Sequence, residues 1–298
     1  MLRETSAAVG RAFGRSAAAL AVLGVLAANA VAAEVEAFPE AKRVVAVGGS
    51  VLEVVYALGE EGRVVARDST GLYPPEALSL PDVGYMRALS PEGVLSVNPD
   101  AILMIEGSGP PEAVEVIKKA AVPVVSVPDK FNKEGIVEKI RVVGHALGVD
   151  DKAAALAAQV DADITAASAA AEAHGTKKRV LFVLSMQGGR LLASGSGTAA
   201  DGIIGMSGAV NAVEGFTGYK QLSDEAVYAA RPDVVLMMDR GGDHAATVDE
   251  LFSHPALAGT PAGEAKALIR MDGPYLIGFG PRTAGAIRDL AEALYGAD

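Results

Sequence analysis

The sequence predicts an α/β protein of two Rossmann-like α/β lobes joined by one long helix, with a ligand cleft between the lobes. Three observations carry that expectation. Short, nearly continuous apolar runs alternate with helical segments, as in parallel sheets covered on both faces. An alanine-rich segment without Gly or Pro sits in mid-chain. A second strand–helix series then repeats motifs of the first.

The elements follow in order. Residues 1–33 read as an export signal rather than as part of the fold. Arg3, Arg11 and Arg15 form a basic head, an apolar run follows, and Ala30-Val31-Ala32-Ala33 offers a small-residue cleavage site. An N-terminal lobe is expected over 34–150. Its strands are placed at 43–47, closed by Gly48-Gly49-Ser50, then at 64–66, 101–105 and 122–127, the last interrupted by Pro123. Helices are expected at 51–58 and 133–147.

The linking helix is placed at 151–175, within which 151–173 is the alanine-rich run. At 1.5 Å per residue it is about 35 Å long. Alanine is the best helix former, and His174-Gly175 ends the run. A C-terminal lobe, 176–298, opens with a new strand at Arg179.

The repeat is specific. Leu89 to Ile105 aligned on Leu222 to Met238 gives 8 identities in 17 positions: Leu, Ser, Glu, Val, Pro, Asp, Leu and Met. Gly84-Tyr85 matches Gly218-Tyr219 after a one-residue slip. Open α/β sheets bind ligands at the carboxyl ends of their strands. Two such edges facing each other across a strut make a cleft suited to capture.

Composition narrows the function. There are no cysteines, which excludes disulfides, thiolate metal sites, cysteine nucleophiles and a lipid anchor on an N-terminal cysteine. Without Arg3, Arg11, Arg15 and Glu4 the chain keeps 23 basic and 36 acidic residues, a balance of −13. Such a surface repels nucleic acid and anionic lipid. No GxGxxG, Walker or GxSxG pattern is present, so no enzyme is expected. The histidines His145, His174, His244 and His254 are dispersed and suggest no bare metal site, with His244 a reserve ligand only.

Several loops carry a resemblance. They are Asp82-Val83-Gly84-Tyr85-Met86-Arg87-Ala88-Leu89-Ser90, Thr198-Ala199-Ala200-Asp201, Gly215-Phe216-Thr217-Gly218-Tyr219 and Met271-Asp272-Gly273-Pro274-Tyr275-Leu276-Ile277-Gly278-Phe279-Gly280-Pro281-Arg282-Thr283. With the two-lobe plan, they make the chain resemble the helical-backbone (class III) substrate-binding proteins of ABC importers, and within them the periplasmic hemin-binding branch. The resemblance implies an exported, periplasmic, monomeric carrier without a lipid anchor, whose transported ligand is heme. Its partners would be an inner-membrane permease and ATPase. A ferric siderophore or cobalamin carrier of the same class is the alternative.

Ferric iron favours an anionic oxygen ligand, and a tyrosine phenolate supplies one. The resemblance gives that role to Tyr85 and makes Arg87, two residues on, its hydrogen-bond donor. Tyr219, as the repeat mate of Tyr85, and Arg240, after a second-lobe strand, are further pocket candidates. Some members of the branch carry a second-lobe histidine in the turn matched here by Ser185-Met186-Gln187-Gly188-Gly189. That turn has no histidine, and Met186 is a poor partner for ferric iron. Tyr85 is therefore expected to be the sole protein ligand. Glu53 and Glu225, each expected to start a helix, are the implied permease contacts.

Overall fold

A computed structural model describes residues 36–239 and 247–296. The expected signal segment, Arg240 and His244 lie outside the described residues.

The first sheet holds β1 (Val44–Val47), β2 (Val64–Arg67), β3 (Ala101–Ile105) and β4 (Val124–Val127). All pairs are parallel, in the order β2-β1-β3-β4. The order reverses at β1, which puts a crevice at the carboxyl ends of β1 and β3. Strand β4 begins at Val124 rather than at 122. Pro123 has no N–H to give the ladder, and its carbonyl accepts from the Ile102 N–H at 3.0 Å. Helix α1 (Gly49–Ala57) follows β1, α2 (Pro91–Leu95) precedes β3, and α3 (Pro111–Lys118) follows it.

Two helices then pack against each other, α4 (Lys133–Ala146) and α5 (Asp150–Glu172). Gly144 lets them approach: a Cβ there would stand 2.1 Å from that of Ala153. The buried stripe of α5 is Ala153, Ala157, Val160, Ile164, Ala167 and Ala171. Its alternating three- and four-residue spacing is that of one helix face.

The second sheet contains β5 (Arg179–Gln187), β6 (Arg190–Ser194), β7 (Val210–Asn211), β8 (Tyr219–Gln221), β9 (Val234–Asp239) and β10 (Leu268–Asp272). Strands β10, β9 and β5 are parallel, while β6 and β8 join antiparallel. This sheet is therefore mixed. The cause is Gly188-Gly189, with φ of 57° and 72°, which makes a tight hairpin between β5 and β6. Ser185 and Met186 consequently lie in a strand, not in the expected turn.

Among the described residues, seven helices complete the lobe: α6 (Ala199–Met206), α7 (Asp224–Ala230), α8 (Val248–Phe252), α9 (Pro255–Ala258), α10 (Pro261–Ala265), α11 (Gly273–Ile277) and α12 (Thr283–Tyr295). Helix α12 returns to pack on α5. One apolar core runs from Val45 and Leu103 through Ala157 and Ile164 to Phe182, Leu236 and Ile287. The other face of the second sheet has its own core, including Leu181, Val183, Val235 and Leu251.

The internal repeat extends to backbone chemistry. Ser90 caps α2 by accepting from Gly93 N–H, and Ser223 caps α7 by accepting from Ala226 N–H. Asn98 and Arg231, at matching positions, both take a left-handed conformation, with φ of 47° and 42°. Asp100 accepts from Arg43 N–H at 3.0 Å, and Asp233 accepts from Arg179 N–H at 2.8 Å. The same clasp thus ties the first strand of each series to the loop before β3 or β9.

Candidate ligand-binding cleft

Tyr85 lies in the segment between β2 and α2, beyond the carboxyl edge of the first sheet. Gly84, at φ 101°, turns the chain there; nothing lies within 4 Å of a Cβ at that site, so conformation rather than space calls for glycine. The Asp82 carboxylate accepts from Gly84 N–H at 2.8 Å and from the Ser69 hydroxyl at 3.0 Å, and pairs with Arg67 at 3.1 Å. Burial is the largest single influence and pushes its pKa up, but the Gly84, Ser69 and Arg67 contacts together outweigh it and hold the pKa below the usual carboxylate range. Tyr85 is 44% exposed. The Arg87 guanidinium donates to its Oη through Nη1 at 3.3 Å. The structure thus brings these two expected residues together.

Tyr219 starts β8, is 39% exposed, and stands with its ring centroid 6.4 Å from that of Phe182. Met186 packs against the core of the second lobe alone. A thioether in that setting fills space, which is its commoner use.

The lobes meet through polar side chains. Arg282 reaches Glu53 with two bonds, Nε to Oε2 at 2.9 Å and Nη2 to Oε1 at 2.6 Å. Its guanidinium also lies 3.7 Å from the Tyr73 ring centroid. Lys139, with no exposed surface, donates to Ser50 Oγ at 2.8 Å, Asp129 Oδ1 at 3.0 Å and the Phe279 carbonyl at 3.1 Å. Burial pushes its pKa down, and Asp129 pulls it back. A cavity of about 410 Å³ borders this seam, lined by Leu72 and Tyr73 from one lobe and Asp272, Pro274, Tyr275 and Arg282 from the other.

Glu53 therefore needs a correction. It is in the second turn of α1, not at its start, is 8% exposed, and is spoken for by Arg282. Glu225 does lie in the first turn of α7 and is exposed. Its own N–H and Ser223 hold its carboxyl below the usual range. The first-lobe mate of Glu225 is Glu92, in the first turn of α2 and exposed. The aligned repeat pairs Glu92 with Glu225. His254 differs as well: it is buried, and its Nδ1 accepts from Ala256 N–H at 3.2 Å while Nε2 faces the Gly189 carbonyl at 2.8 Å. It pins the β5–β6 hairpin.

The family model described as periplasmic binding protein matches residues 44–275, both sheets and the helix between them. The chain belongs to the periplasmic binding protein family. This binding protein is 42% identical to the periplasmic heme-binding protein BhuT, solved in complex with two hemes. The match covers 85% of this chain and 98% of that one, at a TM-score of 0.81. It is 26% identical to the uncharacterized ABC transporter substrate-binding lipoprotein YvrC of Bacillus subtilis, over 86% of this chain and 81% of the relative. It is 24% identical to the vitamin B12-binding protein of Pectobacterium atrosepticum, over 66% and 71%. Such relatives are substrate-binding proteins of ABC importers, not enzymes, and the binding protein is placed with them.

Proposed function

We propose that this binding protein carries ferric heme outside the cytoplasm, with the Tyr85 phenolate on iron, and delivers it to an ABC permease. The observation that supports it most is the Arg87 guanidinium on the Oη of an exposed tyrosine. A neighbouring cation stabilises a phenolate, and a phenolate suits a trivalent iron. The 42% identity to a heme-binding protein favours that cargo over others. Arg87 donates the bond to Tyr85 Oη; Tyr219 and Arg240 remain second-lobe candidates for the ring and its carboxylates. For docking, exposed Glu92 and Glu225, one per lobe at matching helix starts, replace the pair that included Glu53.

Hemin titration tests the reading. The purified protein should bind hemin stoichiometrically and give a high-spin ferric spectrum. Tyr85→Ala should lower affinity by about two orders of magnitude or more, since a metal–ligand bond is lost. Met186→Ala should leave it unchanged. Retention of full affinity by Tyr85→Ala overturns the assignment. The vitamin B12-binding relative supports a second reading, cobalamin, which parallel titration with cyanocobalamin distinguishes.

A further inference from the structure

Asp68 follows β2 and has no exposed surface. Its contacts are donors. Gly48 N–H reaches Oδ1 at 2.9 Å, Thr70 N–H reaches Oδ2 at 3.2 Å, Met86 N–H reaches Oδ2 at 3.1 Å, and the Thr70 hydroxyl lies 2.8 Å from Oδ1. An ionised carboxylate, acceptor-only on both oxygens, matches that set; an amide of the same shape does not. The Thr70 hydroxyl in turn accepts from Gly49 N–H at 2.8 Å. One side chain thus gathers the β1–α1 turn, the loop after β2, and the segment of Tyr85. Met86 is the next residue after that tyrosine. Its side chain is buried while the Tyr85 ring is exposed, so the ring gains little placement from packing of its own. Burial of a carboxylate is costly unless it is fully bonded, as here. It pushes the Asp68 pKa up while the N–H donors pull it back.

The second lobe supplies a contrast. Asn211 ends β7, which pairs with β5 as β2 pairs with β1. It accepts from the residue two positions on, Val213, at 3.1 Å, as Asp68 does from Thr70. Its amide, however, donates to the Ser194 and Gly195 carbonyls and to Asp201. None of these acceptors is in the segment of Tyr219. The carboxylate anchor thus reaches a tyrosine segment in the first lobe, while the second-lobe amide holds other loops.

We propose that Asp68 is a positioning residue for Tyr85, holding the Met86 N–H so that the phenol is preset for its cargo. This rests on the reading of Tyr85 as iron ligand. Hemin titrations of Asp68→Asn, Tyr85→Phe and the double variant test it, with ferric absorption spectra and thermal melts recorded for each. Asp68→Asn should weaken hemin binding roughly tenfold, as loss of a hydrogen bond to a charged group does. It should also shift the phenolate-to-iron absorption, and add no further loss in the Tyr85→Phe background. The same loss in both backgrounds, or none with Tyr85 present, overturns the positioning role. If Tyr85→Phe alone binds hemin fully, the ligand reading fails and this role with it. Should Asp68→Asn not fold, amide exchange of the unaltered protein decides. A Met86 amide as slow as those of β1 supports the anchor, and one as fast as an unbonded loop amide overturns it.

Discussion

Arg282 and Glu53, 229 positions apart, close a two-bonded fork between the lobes, with Nε–Oε2 at 2.9 Å and Nη2–Oε1 at 2.6 Å. A planar guanidinium suits such a carboxylate grip, and lysine does not reproduce it. Removing one partner leaves the other charge in a largely dry seam. Glu53→Gln and Arg282→Met should each cost about 3 kcal/mol, read by urea unfolding. The double variant should recover part of that loss. Additive losses would show that the two residues act separately.

The acid limb of stability should report Asp82. Its folded pKa is depressed, so its contribution is present above the unfolded value near 3.8 and is lost as pH falls through the lower folded value. Melts of wild type and Asp82→Asn should differ at neutral pH and converge in strong acid. A constant difference down to pH 2 would contradict that sign.

The alkaline limb should report Tyr275. Its hydroxyl donates to Asp289 at 2.8 Å, and burial, then Asp289, pushes its pKa up to about 12. A raised folded pKa gives stability that is full below pH 10 and is lost as pH rises through about 12. Tyr275→Phe should flatten the melting profile across that window. Spectrophotometric titration should show a late-ionising tyrosine in wild type that is missing from the variant.

Docking should depend on Glu92 and Glu225 together. Charge reversal at either should slow ATP hydrolysis by the reconstituted importer and leave hemin affinity unchanged. Glu53→Gln should act through melting temperature instead. Equal transport by Glu92→Lys and wild type would exclude the first-lobe contact.

Much of the frame was legible in the sequence because it rests on local signals. The strand at Ala101–Ile105 and the helix at Lys133–Ala146 stand where the apolar patterning put them, and Asn132 caps that helix by accepting from Gly135 N–H. The alanine run became α5 for the same reason. What escaped depends on partners far along the chain. Nothing near Glu53 announces Arg282, and nothing near Asp68 announces Met86. The antiparallel strands of the second sheet follow from two glycines with positive φ, which read equally well as a plain loop. Glu92 was different. It lies opposite Glu225 in the repeat, whereas the resemblance pointed to Glu53, and α1 begins earlier than the apolar pattern indicated.

The apolar core that passes from Val45 through Ala157 to Ile287 spans both halves. Swinging them widely apart would wet that seam, which the hydrophobic effect opposes in proportion to the area exposed. Under the proposed function, unloading would then fall to the loops around Tyr85 and Tyr219 rather than to the base. A calorimetric scan should accordingly trace one endotherm for the whole molecule, with bound cargo moving it upward without splitting it.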